Sequence, residues 1–236
     1  VILSMICGVA VNGVYAVAYK IPSLITVCSS IFSNAWQISA VEGFGTEENR
    51  QYFSDIYYKY STCCMFLITF IISFNRIICK FAFSDDFYFA WKYVPILVFA
   101  ALFQIMSGFL GTIYTTAKKT NMVFVSTLIA ALSNIVLNLI LIPYWGGIGA
   151  AVATCISYVI VWGIRVVDSR KIMVLNINWW KEIVTTIILL IQVVVGCIDN
   201  MVCFALSIVL MLCIICIKRE FLRDIHSLLQ SFKRSK

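Results

Sequence analysis

The feature that most constrains this chain is an apolar stretch at 120–164, 45 residues that include no Asp, Glu, Lys or Arg. A bilayer core is crossed by about 20 apolar residues in an α-helix, so the stretch is long enough for two crossings. The sequence PYWGG at 143–147 interrupts it near the middle, and Pro and Gly favour a turn there. The stretch therefore predicts two membrane-spanning helices joined by a tight, uncharged turn.

Composition extends this interpretation to the whole chain. Of the 236 residues, 62% are hydrophobic and only 12% are charged, which is too little polar surface to cover a soluble globule of this length. Uninterrupted apolar runs select helices over barrel strands, which alternate in hydrophobicity and are shorter. The predicted fold class is all-α, a polytopic membrane helix bundle.

The apolar runs predict a partial first helix at 1–11 and about seven full spans. The spans are placed at 13–41, 58–78, 93–117, 122–143, 147–166, 180–197 and 201–217. Between the first two lies the polar segment 42–57, in which Tyr52, Phe53, Ile56 and Tyr57 recur at helical spacing. This segment is predicted to be a helix that lies in the membrane interface. Because the partial helix has no basic region or cleavage site before it, it is predicted to be the end of a helix whose beginning is missing.

The net charge of +7 is explained by membrane orientation, so no nucleic-acid partner is expected. Fourteen Lys and Arg residues fall in the loops at 42–59, 118–119 and 165–181 and in the tail from Lys218. Lys20, Arg76, Lys80 and Lys92 are assigned to the opposite side. The positive-inside rule therefore predicts that the first set and the C-terminus are cytoplasmic.

Enzyme and metal motifs are lacking in the sequence. Most of the ten cysteines lie in apolar segments, and the Cys213 and Cys216 pair has no second pair or nearby His to complete a ligand set. The sole histidine, His226, lies in the basic tail, and Asp199 marks a turn between spans. No catalytic residue, metal or cofactor is therefore predicted, and the chain is not expected to be an enzyme.

One face of the 13–41 segment is polar along its whole length, within a sector of roughly 140° at 100° per residue. It carries Asn12, Tyr15, Tyr19, Lys20, Ser23, Thr26, Ser30, Ser33, Asn34 and Gln37. A lipid-facing helix would not carry such a stripe, so it is predicted to line a substrate pathway or to pack against a neighbour. Lys20 is interpreted either as a cavity cation or as an anchor at a helix end. Pro22 predicts a kink beside it.

Two groups of residues predict close packing of helices. Asn134 and Asn138 lie four residues apart on one helix face, from which they can bond a neighbouring helix. Pro143, Gly146, Gly147 and Gly149 lie at the predicted turn and at the start of the next span, where small side chains permit close approach.

Four stretches resemble one known family. They are GVYAVAYKIPSLI at 13–25, IFSNAWQISAVE at 31–42, VPILVFAALFQIMSGFLGTIYTTAKKT at 94–120 and SNIVLNLILIPYWGGIGAAVATCISYVI at 133–160. They look like the C-terminal half of polysaccharide biosynthesis flippases, within the superfamily of multidrug, oligosaccharidyl-lipid and polysaccharide exporters. The resemblance covers nearly the whole chain and is most specific at 134–154. It bears more on the scaffold than on the sugar that is carried.

The resemblance implies a bundle of two six-helix lobes around a cavity, of which this chain would be the C-terminal lobe. Residues 1–167 would run from the end of helix 7 to helix 12, 168–217 would be two additional C-terminal helices, and 218–236 a basic cytoplasmic tail. The implied function is to move polyprenyl-pyrophosphate-linked O-antigen or capsule repeat units across the bacterial inner membrane. Its partners would be that substrate, membrane lipid and the missing N-terminal lobe.

Three alternatives remain open. They are a drug or cation antiporter of the same superfamily, a polymerase or ligase of glycan assembly, and an inactive remnant. The external loops are short, whereas a polymerase or ligase is expected to have large ones, so this feature argues against the second alternative.

Overall fold

A computed structural model describes residues 1–41 and 46–224, with 38–41 described by their backbone alone. Within these ranges the chain forms seven α-helices, connected by short loops and two 3-10 helices at Asp85–Lys92 and Ser169–Lys171. The α-helices are α1 (Ile2–Ala18), α2 (Lys20–Val41), α3 (Glu47–Ala82), α4 (Val94–Thr116), α5 (Asn121–Asp168), α6 (Trp179–Gly196) and α7 (Met201–Ile217). The expected start of an interfacial helix at residue 42 and most of the basic tail, with His226, lie outside the described residues.

The predicted membrane spans are all helical. Among the described residues, five helical stretches are long and apolar enough to cross a bilayer. The first, Ile2–Gln37, joins α1 and α2, and the one at Asn121–Lys171 covers two predicted spans in 51 residues. Met201–Ile217 is a shorter apolar helix that matches the last predicted span. The prediction of an all-α polytopic bundle is thereby confirmed.

The first two helices form one broken rod. Gly8 interrupts α1 with φ 86° and ψ 168°, a conformation that residues with a Cβ rarely adopt. The break predicted near residue 12 therefore lies at Gly8. At the other end of α1, the Tyr19 amide still bonds the Tyr15 carbonyl, and α2 begins at the next residue. Pro22, which lacks an N–H, is buried three residues into α2 and accounts for the irregular junction.

Helix α3 corrects the prediction of a separate interfacial helix. It runs without interruption through 36 residues, and the Thr46 hydroxyl caps it by accepting from the Asn49 amide at 3.2 Å. Phe53 and Tyr57, expected at the membrane surface, are 0% and 3% exposed. The aromatic residues at helical spacing therefore form a packing face of the span itself.

Helix α4 occupies the centre of the bundle and packs against α2, α3, α5 and α6. Phe109 of α4 is fully buried and meets Trp36 of α2 at 5.6 Å between ring centroids and Tyr57 of α3 at 5.5 Å. Phe53 completes the cluster at 5.0 Å from Trp36. These large aromatic surfaces hold α2 and α3 against α4.

Helix α5 is a hairpin that reverses at Gly146. This glycine has φ 54° and ψ −130°, and the second half of α5 returns along the first. The return is visible at both ends, because Gly149 touches the backbone of Leu141 and the Arg165 Nε donates to Ser126 Oγ at 3.0 Å. The predicted turn at 143–147 is therefore present, and a single residue carries most of the reversal.

A buried polar cluster joins α3, α6 and α7. Gln192 of α6 is fully buried, accepts from Thr69 Oγ1 at 2.7 Å and donates to Ser73 Oγ at 2.9 Å. Its amide also reaches the Ser207 carbonyl of α7 at 3.2 Å. Polar side chains in a membrane interior are satisfied by such contacts between helices.

We expect Gln192→Leu to lower the free energy of unfolding by about 1–2 kcal/mol, because the Leu leaves Thr69 and Ser207 without their shared partner. Thermal denaturation of the purified protein in detergent measures this. The control is Gln51→Leu, at an exposed glutamine of α3. A Gln192→Leu protein as stable as that control would show that the cluster contributes nothing.

The beginning of α6 is tied to the end of α7 by two ion pairs. Lys218, counted in the sequence as a residue of the tail, is 0% exposed, and its Nζ contacts Glu182 Oε1 and lies 4.8 Å from the centre of the Tyr58 ring. Next to it, the Lys181 ammonium bonds both carboxylate oxygens of Glu220 at 2.8 and 2.9 Å. The exposed pair lowers the pKa of Glu220 through its hydrogen bonds to Lys181.

Candidate functional site: a polar cavity with a buried arginine

A cavity of about 560 Å³ lies between Tyr19, α4 and the two halves of α5. Its volume falls within the range of small-molecule sites. Its polar lining consists of Tyr19, Gln104, Ser107, Thr127, Asn134, Thr154, Ser157, Tyr158 and Arg165. No acidic side chain lines it among the residues that the structure describes. The cavity is therefore rich in neutral hydrogen-bonding groups and carries one positive charge.

Arg165 supplies that charge from the second half of α5. Its side chain donates from Nη1 to the Ser107 carbonyl at 2.7 Å and from Nη2 to the Val123 carbonyl at 3.2 Å and Thr127 Oγ1 at 3.0 Å. With the bond from Nε to Ser126, four hydrogen bonds are made, and all of them go to uncharged oxygens. The residue is 6% exposed and belongs to none of the ion pairs within the described ranges.

Tyrosines form the wall of the cavity nearest the α1–α2 junction. The side chains of Tyr19 and Tyr158 both line the cavity there. The Tyr15 hydroxyl lies 3.3 Å from Thr154 Oγ1, and its ring stacks on that of Tyr19 at 6.4 Å between centroids. Two residues of the predicted stripe, Tyr15 and Tyr19, are thus brought to the second half of α5.

The hydroxyls farther along the stripe bond within their own helix. Ser23, Thr26 and Ser30 each donate to the carbonyl three residues earlier, at 2.7, 2.9 and 2.7 Å. Gln37 instead donates to Thr115 Oγ1 of α4 at 2.7 Å. Asn34 is exposed, and Asn12 and Ser33 are half-buried.

Lys20 is exposed at the start of α2 and does not line the cavity. Its side chain is presented to the surroundings of this chain. The role predicted for it in a substrate pathway stays a prediction.

Asn134 and Asn138 are predicted to bond a neighbouring helix, but within the described part of the chain their side chains bond only along their own helix. The Asn138 amide donates to the carbonyl oxygen and to the side-chain oxygen of Asn134, at 2.8 and 2.9 Å, along the same helix. A contact four residues apart satisfies the donor locally, so the pair does not hold two helices together. Asn134 lines the cavity instead.

The glycines of the hairpin are closely surrounded. A Cβ on Gly149 would lie 2.4 Å from the Leu141 carbonyl oxygen, and one on Gly147 would lie 2.8 Å from the Tyr93 ring. Pro143 remains inside the first half of α5, three residues before the reversal.

Arg165 is the site residue that the sequence interpretation missed, because it was counted as a cytoplasmic loop charge. Its spacing carries a signal that could have located it. Thr154, Tyr158, Val161 and Arg165 follow one another at intervals of four, three and four residues, which places them on one helix face. All four line the cavity.

Within the described residues no group of three or more His, Cys, Asp or Glu side chains could hold a metal ion. The cavity chemistry is therefore that of one guanidinium with hydroxyl and amide groups. Such groups bind and orient a polar ligand through exchangeable hydrogen bonds.

The fold and the cavity define a class, that of multi-pass helical membrane proteins with a polar cavity between their helices. Within that class the chain is similar to a solved structure, lipid II flippase MurJ in an inward closed conformation. The TM-score is 0.62 at 19% sequence identity, over 95% of this chain and 52% of that chain. At this identity the likeness shows a shared fold.

The chain thus spans about half the length of that flippase. No family model matches the chain. No curated protein matches it either.

Proposed function

We propose that this chain is one lobe of a flippase for lipid-linked oligosaccharides. The observation that carries the proposal is the fold shared with a lipid II flippase across 95% of the chain. The polar cavity supports it, since a helical bundle in lipid exposes hydroxyls, amides and a guanidinium to an interior space only where a polar ligand or water can enter.

The transported substrate is a polyprenyl-pyrophosphate-linked repeat unit for O-antigen or capsule. Its prenyl tail stays in lipid while its sugar head crosses between this lobe and an N-terminal lobe. Lys20 and the exposed residues of the stripe, Ser30 and Asn34, face that passage, where the ammonium attracts the pyrophosphate and the polar groups exchange hydrogen bonds with sugar hydroxyls. The lobe works by rearrangement of helices and without catalytic chemistry.

The site of action is the bacterial inner membrane, with the C-terminus in the cytoplasm. The support for this orientation is the excess of Lys and Arg in alternate loops and in the tail. The exposed ion pair of Lys181 and Glu220 belongs to the same end of the bundle.

In the full-length transporter, we expect Lys20→Ala to reduce surface polysaccharide about tenfold, because the pyrophosphate loses a charge-assisted partner. Lys20→Arg retains the charge and should keep a large part of the export. Surface glycan in cells that lack their own flippase is measured and normalised to membrane abundance.

Lys80→Ala is the matched control, since it removes an exposed lysine in the last turn of α3. Normal export by Lys20→Ala at normal abundance would remove Lys20 from the pathway. Failure of the intact transporter to export any lipid-linked glycan, while a cationic drug is expelled, would favour an antiporter instead.

A further inference from the structure

Asp168, one helical turn beyond Arg165, is paired with Lys171 and accepts from the Tyr114 hydroxyl. Among the residues that the structure describes, the guanidinium of Arg165 therefore forms no ion pair. Its four hydrogen bonds go to two hydroxyls and two carbonyls, at 2.7 to 3.2 Å. These neutral oxygens satisfy donors but leave the net charge of +1 uncompensated. A buried charge in a medium of low dielectric constant is costly unless it is paired.

The guanidinium also keeps some donor capacity. It has five N–H groups, and four hydrogen bonds account for four of them. The remaining N–H is on Nη1, whose single partner is the Ser107 carbonyl. Arg165 lines the cavity, so a ligand there meets the positive charge.

The other polar groups of the cavity suit an anion. Gln104, Tyr19 and Tyr158 offer N–H and O–H donors, and no carboxylate from the described residues faces them. The Ser157 hydroxyl donates to the Ala153 carbonyl at 2.7 Å, so towards a ligand it can only accept. A phosphate group presents several acceptor oxygens and is well matched to a guanidinium with surrounding donors.

We infer that the cavity around Arg165 is a binding site for a phosphate-bearing anion, separate from Lys20. The anionic character of the ligand follows from the cavity itself, and the choice of a diphosphate rests on the proposed function. The diphosphate comes either from the headgroup of a polyprenyl lipid or from free diphosphate in the cytoplasm.

Gly108 allows the site to be blocked without touching Arg165. It lines the cavity from α4, and no atom lies within 4 Å of the position that a Cβ would take. Gly108→Phe therefore fills cavity space with an apolar ring and creates no close contact at its Cβ. Gly163→Phe is the matched control, since Gly163 has equally open space and does not line the cavity.

The test measures thermal denaturation of the purified 236-residue chain in detergent, with sodium diphosphate titrated at constant ionic strength. A ligand that binds the folded state raises the midpoint temperature in a saturable way. We expect this increase for the unmodified protein and for Gly163→Phe, and its loss for Gly108→Phe. Arg165→Lys keeps the positive charge but loses the planar set of N–H donors of the guanidinium. The half-saturating concentration of diphosphate should therefore be at least about tenfold higher for this variant.

A second arm uses nanodiscs that contain polyprenyl diphosphate in place of the free anion. Stabilisation by the lipid alone identifies the headgroup as the ligand, whereas stabilisation by both admits the free anion. Absence of stabilisation in both arms, or equal stabilisation of Gly108→Phe, would overturn the inference. Persistent binding with no glycan export in cells would count against the proposed transport and leave this site standing.

Discussion

Gly149→Ala is expected to lower the free energy of unfolding by about 3 kcal/mol or more, because the added methyl cannot fit the hairpin. The new Cβ would lie 2.4 Å from the carbonyl oxygen of Leu141 and 2.7 Å from its carbon. Both are backbone atoms, so no side chain can rotate away and the two halves of α5 must separate. For a chain of this length we expect the denaturation midpoint in detergent to fall by about 6–12 °C.

Gly163→Ala is the matched control in the same half of α5. No atom lies within 4 Å of its Cβ position, and Ala favours a helix more than Gly does. This variant should be as stable as the unmodified protein or slightly more stable. If Gly149→Ala denatures at the same temperature as Gly163→Ala, the two halves of α5 are not as close as the structure places them.

Breaking the buried pair of Lys218 and Glu182 is expected to cost about 3–5 kcal/mol, because the remaining charge loses its ionic partner. Lys218→Met leaves the Glu182 carboxylate, whose side chain is 11% exposed, and Glu182→Leu leaves a fully buried ammonium. The double variant Glu182→Leu with Lys218→Met removes both charges together. It should recover most of the lost stability in the same thermal denaturation measurement.

The neighbouring pair provides the control for this experiment. Glu220→Gln breaks the ion pair with Lys181, in which the Glu220 side chain is 59% exposed and water can solvate both groups. Little change in the denaturation midpoint is expected there. A double variant at Glu182 and Lys218 as unstable as either single one would mean that packing, and not the charge pairing, is what the single substitutions disturb.

The sequence predicted the helices well because the hydrocarbon core imposes their length and composition directly. The turn at 143–147 was equally predictable, since Pro and Gly interrupt an otherwise apolar stretch. Helix α3 was divided wrongly because the polar residues before position 58 resemble a surface segment. Only the packing of Phe53 and Tyr57 against α4 shows that the span continues through them.

Charged residues were the harder problem. Arg165 and Lys218 were assigned to loops and tail, where charges are least costly, and both are buried. Their burial depends on partners distant in sequence, such as Ser126 and Glu182, which no local pattern reveals. The cavity shares this property, since it exists only where α4 and both halves of α5 meet.

The hairpin of α5 also bears on how the chain enters the bilayer during synthesis. Its second half, alone in hydrocarbon, would expose the Arg165 guanidinium. Three of the four oxygens that satisfy it, on Val123, Ser126 and Thr127, belong to the first half. The two halves are joined by a reversal centred on one glycine, so the insertion machinery receives them almost together. We therefore expect the two halves of α5 to leave the insertion machinery and enter the lipid together, as a pair of helices.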